Sequence, residues 1–254
     1  MNIAVCVKQV VTRDWPLRVN ETAEWVRDHD ASFEMNEPDA YALEEALRLK
    51  EQHGGEVVVC VAGPSRVSQV IREALARGAD RAIHVKHDEL AFTDANVVAS
   101  SLAHSIASDQ FDLVLTGLQS DDQGFGQTGV VLAERLGLPH ATIVMEVDAG
   151  DANTIRVKRE LEGGWFQWVS MPTPALLTIQ SGINQLRYAT LKGIMAAKKK
   201  EVRVVELQEL QPAGQHIVRL YVPEKEKATR FVEGAPDVAS RELVRLLREE
   251  ARVL

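Results

Sequence analysis

The sequence is poor in the residue patterns that most catalytic and metal-site chemistry needs. It has only two cysteines, Cys6 and Cys60, with no C-x-x-C, and its seven histidines are dispersed with no H-E-x-x-H. Nothing there has the spacing of a metal centre. No G-x-S-x-G elbow and no nucleophile–base pair can be read. Cationic residues are in the minority, 29 Lys and Arg against 37 Asp and Glu. The formal charge of −8 excludes the basic footprint of a general nucleic-acid binder. No apolar run approaches membrane-spanning length. Met1 and Asn2 lead straight into a strand-like run, so no leader peptide is expected and a reducing cytoplasm is the expected compartment. Both cysteines lie in strand-like runs and read as small buried hydrophobes, ahead of a redox pair or metal ligands.

What is present is a core and an alternation. At 254 residues and 45% hydrophobic, the chain can bury a sizeable interior. Residues 3–7, 57–61, 81–85 and 111–116 are short apolar runs of the kind buried parallel strands make. Between them lie helical stretches. One opens at Pro38 with acids in its first turn and carries Ala40, Leu43 and Leu47 on one face. The next has the stripe Val67, Val70, Ile71 and Ala74, with Ser65 as its expected cap, and a third spans 93–108. Strands alternating with helices in this way predict β-α-β units and a parallel sheet, with ligands beyond the carboxyl ends of its strands. The turns after Cys6, Ala62 and Thr116 would then face one crevice.

The segment 117–129, GLQSDDQGFGQTG, joins the fourth strand to a helix over 130–136. Glycines at 124, 126 and 129 permit close backbone approach, and free N–H groups of Gln127, Thr128 and Gly129 would favour an anion at the helix start. It is neither G-x-G-x-x-G nor a Walker loop, so it reads as a cradle for a nucleotide held without hydrolysis, or as an ordinary polar loop. Asp121 and Asp122 could form a general-acid/base pair, although adjacent loop carboxylates are more often solvated or hydrogen-bonded.

After Pro139 the alternation stops. Four extended runs (142–147, 154–160, 165–170 and 175–179) follow without helices, with Gly163-Gly164 as a hairpin turn, and are expected to extend the sheet at one edge. Residues 201–212 read as charged and β-like, and a last amphipathic helix over 236–252 has little core of its own, which suits docking on a partner chain. The predicted organisation is a three-layer α/β domain over 1–185 with a parallel sheet and an antiparallel edge extension. A partner-recognition segment over 186–200 and a C-terminal docking arm over 201–254 complete it.

Several stretches resemble the β (small) subunit of electron-transfer flavoproteins. They are Val7-Lys8-Gln9, Met35-Asn36 with the helix from Leu43 to Glu51, Gly78-Ala79-Asp80-Arg81, the Gln127-Thr128-Gly129 loop and, above all, Arg187-Tyr188-Ala189-Thr190-Leu191 with Ile194-Met195 and Ala197-Lys198-Lys199-Lys200. The resemblance implies an electron carrier without a catalytic site of its own. It would pair with an α subunit that holds most of the FAD site. It would take electrons from acyl-CoA dehydrogenases of fatty acid β-oxidation and other donors, and pass them to a membrane quinone oxidoreductase. It also implies a structural AMP contacted by Cys6, Asn36, Glu37, Pro38, Asp39, Ala62, Asp122, Gln123, Gly124, Phe125, Gly126, Gln127, Thr128, Gly129 and Val130. Tyr188, Ala189, Thr190, Leu191, Ile194 and Met195 become a recognition segment, with Leu191 its anchor and the flanking lysines steering toward an acidic partner. Glu160 becomes an ion-pair partner for the α subunit. By spacing alone, residues 188–200 also fit a surface helix with Leu191 and Met195 facing the core. Two other readings stay open, an electron-bifurcating relative with a second FAD in place of AMP and a stress-type ATP-binding protein.

Overall fold

The computed structural model describes residues 1–91, 93–151, 153–223 and 229–254. Its centre is a sheet of strands ordered β11-β5-β4-β1-β6-β10-β7-β8-β9, formed by β1 (Asn2–Cys6), β4 (Glu56–Gly63), β5 (Arg81–Lys86), β6 (Leu113–Gly117), β7 (His140–Asp151), β8 (Thr154–Glu160), β9 (Phe166–Pro172), β10 (Ala175–Ile179) and β11 (Val202–Glu206). Every pairing from β11 to β7 is parallel, and β7-β8-β9 is antiparallel. A small antiparallel pair, β2 (Gln9–Val11) with β3 (Phe33–Met35), stands apart from it.

The apolar runs become strands because both their faces are covered. Ile3, Val5, Val57, Val59 and Val61 pack with residues of α1 (Glu37–His53) and α2 (Ser68–Arg77) in one core. Ala4, Cys6, Val58 and Cys60 pack in a second, with residues of α3 (Ala95–Ile106) and α4 (Thr128–Leu136). Strand alternation thus sorts neighbouring residues into two helical layers around one sheet. Helix α1 runs from Pro38 in its first turn to Gly54, which caps it at φ 72°. Asp94 caps α3 by accepting from the Val97 N–H at 2.9 Å.

Three local expectations change. Ser65 caps nothing, because residues Ser65–Val67 form a short 3-10 turn led by Pro64. The run at 175–179 is an interior strand instead of an edge extension. β10 inserts in parallel between β6 and β7 with all five residues buried. Its sequence, ALLTI, has no alternating polar face, and only a strand covered on both sides suits that pattern. Only β8 and β9 extend the edge, turning at Gly163 and Gly164 with φ 69° and 78°. Residues 202–206, assigned by sequence to the arm, add β11 beside β5.

The unit containing the sheet runs from Met1 to Leu220, and Tyr221 to Leu254 form a second unit. That second unit holds α6 (Pro236–Glu249), which buries none of its residues and pairs Arg241 with Asp237 and Arg245 with Glu242 and Glu249. Among the described residues no helix is long and apolar enough to cross a membrane.

The position of β10 is testable. Leu177 has no solvent exposure, so Leu177→Ala should cost about 2–5 kcal/mol in equilibrium denaturation. A loss within about 0.5 kcal/mol, usual for surface substitutions, would contradict an interior β10.

Candidate functional site

β1 and β6 are neighbours, but the chain leaves β1 for β4 on one side and leaves β6 for β10 and β7 on the other. Their carboxyl ends therefore part, which makes this the switch point where an open α/β sheet accommodates ligands. The first turn of α1 fills the base of the gap. Asp39 puts one carboxylate oxygen on the Lys8 N–H at 2.7 Å and the other on the Gly117 N–H at 2.9 Å, and so ties the two strand ends together. Gly117 leaves the room for this, since a Cβ there would lie 2.4 Å from Asp39 Oδ1. Burial pushes the Asp39 carboxyl up to about 7, against the opposing pull of the Lys8 and Gly117 N–H donors and Asn36.

The same turn fixes the loop that follows β6. Asn36 donates from Nδ2 to the Gln119 carbonyl at 3.0 Å and accepts the Asp121 N–H at 2.8 Å. Asp121 accepts from the Glu37 N–H and pairs with Arg13, which also pairs with Glu37. Lys8 Nζ reaches Asp122 at 2.7 Å, Gln123 at 3.0 Å and Ser120 at 3.3 Å. Asp121 and Asp122 are thus both engaged in shaping the loop.

Beyond Gln123 the chain turns through Gly124 and Gly126 at φ 66° and 63° and enters α4. Gln127 stands at the cap position, and no side chain caps the helix. Gly129 draws the helix start onto the sheet, because a Cβ would lie 2.6 Å from Thr116 Oγ1 and 2.7 Å from Thr178 Cγ2. An uncapped helix start at a switch point offers N–H groups and a positive dipole end to an anion.

A cavity of about 650 Å³ opens there, within the range of small-molecule sites. Of the residues expected to hold a nucleotide, Cys6, Asn36, Asp39, Ala62, Asp122, Gln123, Phe125, Gly126, Gln127, Thr128 and Gly129 line it. Glu37, Pro38, Gly124 and Val130 do not. Glu37 turns to Arg13, and Pro38 packs where a Gly117 Cβ would go.

Sequence reading missed the roof. Trp25, Phe33 and Arg66 close one side, with the Arg66 guanidinium 4.7 Å above the Phe33 ring and 3.6 Å from Asp28. Ile217 and Leu220 close another, on a strap held by Asp94, which accepts the Gly214 and Gln215 N–H groups at 2.6 and 3.1 Å. Lys8 and Gln9 stand in a stretch that carries the resemblance and could have been assigned from it. The roof lies in segments without hydropathic period, which gave no signal.

The residues expected to recognise a partner fall elsewhere. Tyr188 and Leu191 are 91% and 84% exposed, and Ile194 and Met195 are also exposed. A core-facing Leu191 is therefore excluded. Ala189 is half-buried, and Thr190 caps the short helix α5 (Leu191–Ala197) by accepting the Gly193 N–H at 3.0 Å. Glu160 ends β8 and accepts from Gln180 Nε2 at 3.4 Å.

Comparison with known proteins gives the chain's family. Residues 24–210 match the model of the electron transfer flavoprotein domain. The chain is 36% identical to an electron transfer flavoprotein subunit beta of Methylophilus methylotrophus, over 98% of both chains. It is 35% identical to the Bacillus subtilis subunit of that name and 36% identical to a mitochondrial one from Oryza sativa subsp. japonica, each over the full length of both.

The Asp39 tie makes a pH prediction. Its pKa is higher folded than unfolded, where it is about 4. Between about pH 4 and 7 the folded chain holds a proton that the unfolded chain releases, so Asp39's contribution to stability falls as pH rises. The stability advantage of wild type over Asp39→Asn should shrink from pH 4 to pH 7 in denaturant titrations. An advantage that grows over that range would mean the ionised carboxylate is the form the fold prefers.

Proposed function

The chain belongs to the electron transfer flavoprotein β-subunit family, and from that premise we propose that its crevice holds AMP as a structural ligand. Family membership makes it an electron-transfer subunit rather than a catalyst, working with a flavin and an α subunit. In our reading the α subunit carries most of the FAD site. Acyl-CoA dehydrogenases and related enzymes reduce that flavin, and a membrane quinone oxidoreductase reoxidises it. Leu191 anchors the donor, Glu160 pairs with the α subunit, and the unit from Tyr221 onward docks on the same partner.

The observation that supports AMP is the uncapped start of α4 at the switch point, beside the short side chains Cys6, which ends β1, and Ala62, next to last in β4. The phosphate takes the helix N–H groups, and the nucleoside lies over the strand ends under the Phe33–Arg66 roof. Lys8, Arg13 and Arg66, the cations of the lining, pair with Asp122, Asp121 and Asp28 and so stabilise the cradle.

The test is the nucleotide content of the purified heterodimer. Heat should release about one AMP per β chain, with one nucleotide in the switch-point crevice, and the β chain expressed alone should be colourless. A second FAD in place of AMP would move the protein to the bifurcating class. ADP appearing after incubation with ATP would favour the stress-type reading.

A further inference from the structure

The exposed helix α5 is held more firmly than an exposed segment of seven residues needs to be. On its N-terminal side, Arg187 lays its guanidinium against two carboxylates of α1. It reaches Glu44 through Nε at 2.8 Å and through a terminal nitrogen at 2.9 Å, and Glu51 at 2.6 Å. Glu44 is buried, and Arg187 also donates its backbone N–H to it. Three residues earlier, Asn184 donates to the Tyr41 carbonyl and to Glu45. The chain is thus fixed to α1 just before Tyr188 and Leu191 emerge.

On the other side, Lys200 turns inward. Its Nζ donates to the carbonyl of Leu75, in the last turn of α2, and to that of Ala79, just beyond the helix end. Between the two anchors, Gly193 lets α5 lie directly on α2, since a Cβ there would sit 2.2 Å from the Ala76 carbonyl oxygen. Lys200 is therefore an internal anchor, while Lys192, Lys198 and Lys199 remain exposed. The lysine run, which the sequence presents as one steering patch, divides into two jobs.

We propose that Arg187 and Lys200 are positioning residues that clamp α5 to α1 and α2, so that Leu191 is presented in its docking pose before the donor arrives. A loose α5 would lose freedom on docking, and that ordering opposes binding. A clamped one has lost it already on folding. Bidentate pairing suits the task, because a planar fork fixes direction as well as distance. The proposal rests on the recognition role of Leu191, and the test keeps the two apart.

Lys200→Met, Arg187→Lys and Leu191→Ala would be prepared in the flavin-loaded heterodimer. Hydrogen exchange of the α5 amides and steady-state reduction by an acyl-CoA dehydrogenase would be measured for each. Lys200→Met should speed exchange in α5 while the sheet stays protected, and raise the half-saturating flavoprotein concentration roughly five-fold with kcat unchanged. Its salt dependence should match wild type, because Lys200 does not steer, whereas Lys198→Gln with Lys199→Gln should flatten it. Arg187→Lys keeps the charge and loses the fork, and should behave like Lys200→Met. Faster exchange without a change in half-saturation would overturn the positioning role, as would unchanged exchange in both variants. If Leu191→Ala itself leaves half-saturation unchanged, the recognition reading falls instead.

Discussion

The Asp39 carboxylate, shared between the Lys8 and Gly117 N–H groups, is the interaction on which the rest of the site depends. Parallel strands that part at a switch point leave backbone donors with no strand neighbour, and buried donors without partners are costly. One side chain from the first turn of α1 answers two of them. It thereby fixes three things at once: where β1 and β6 end, where α1 begins, and where the loop toward α4 departs. Asn36, Asp121, Arg13 and Lys8 then extend the same tie along the loop. The burial that drives the Asp39 pKa up is the cost of placing a carboxylate there.

Much of the fold was legible because it follows from hydropathy. Runs such as Val57–Val61 have no polar alternation, so they had to be buried on both faces, and the helices between them end at Gly54, Gly78 and Gly137. β10 carried the same apolar signature and was misplaced because chain order was followed. Three neighbouring extended runs suggested a meander, yet the strand returns to pair with β6. The crevice was legible as a place, since the small residues Cys6, Ala62 and Gly117 stand at or next to the ends of the neighbouring strands β1, β4 and β6. Its interior was not. Asp39 reads locally as an acid at a helix start, and its partners lie 31 and 78 residues away. The Trp25–Phe33 roof and the strap through Ile217 have no period to detect, so only the fold brings them over the cavity.

In the proposed reading, two surfaces of one scaffold divide the work of this subunit. The crevice pairs backbone groups and short side chains at its strand ends with a roof of Trp25, Phe33 and Arg66, which suits a ligand that stays. The segment from Tyr188 to Met195 offers large exposed side chains on a clamped helix, which suits a partner that comes and goes. Helix α1 serves both, with Asn36 and Asp39 at its first turn and Glu44, Glu45 and Glu51 further along. Its buried acids are therefore spent on holding other segments in place.

Binding of AMP and of adenosine to the nucleotide-stripped heterodimer, compared by titration calorimetry, tests the central claim most directly. If the α4 start receives a phosphate through charge-assisted hydrogen bonds, AMP should bind at least roughly tenfold more tightly than adenosine. Equal affinity for the two, or no binding of either, would contradict the account.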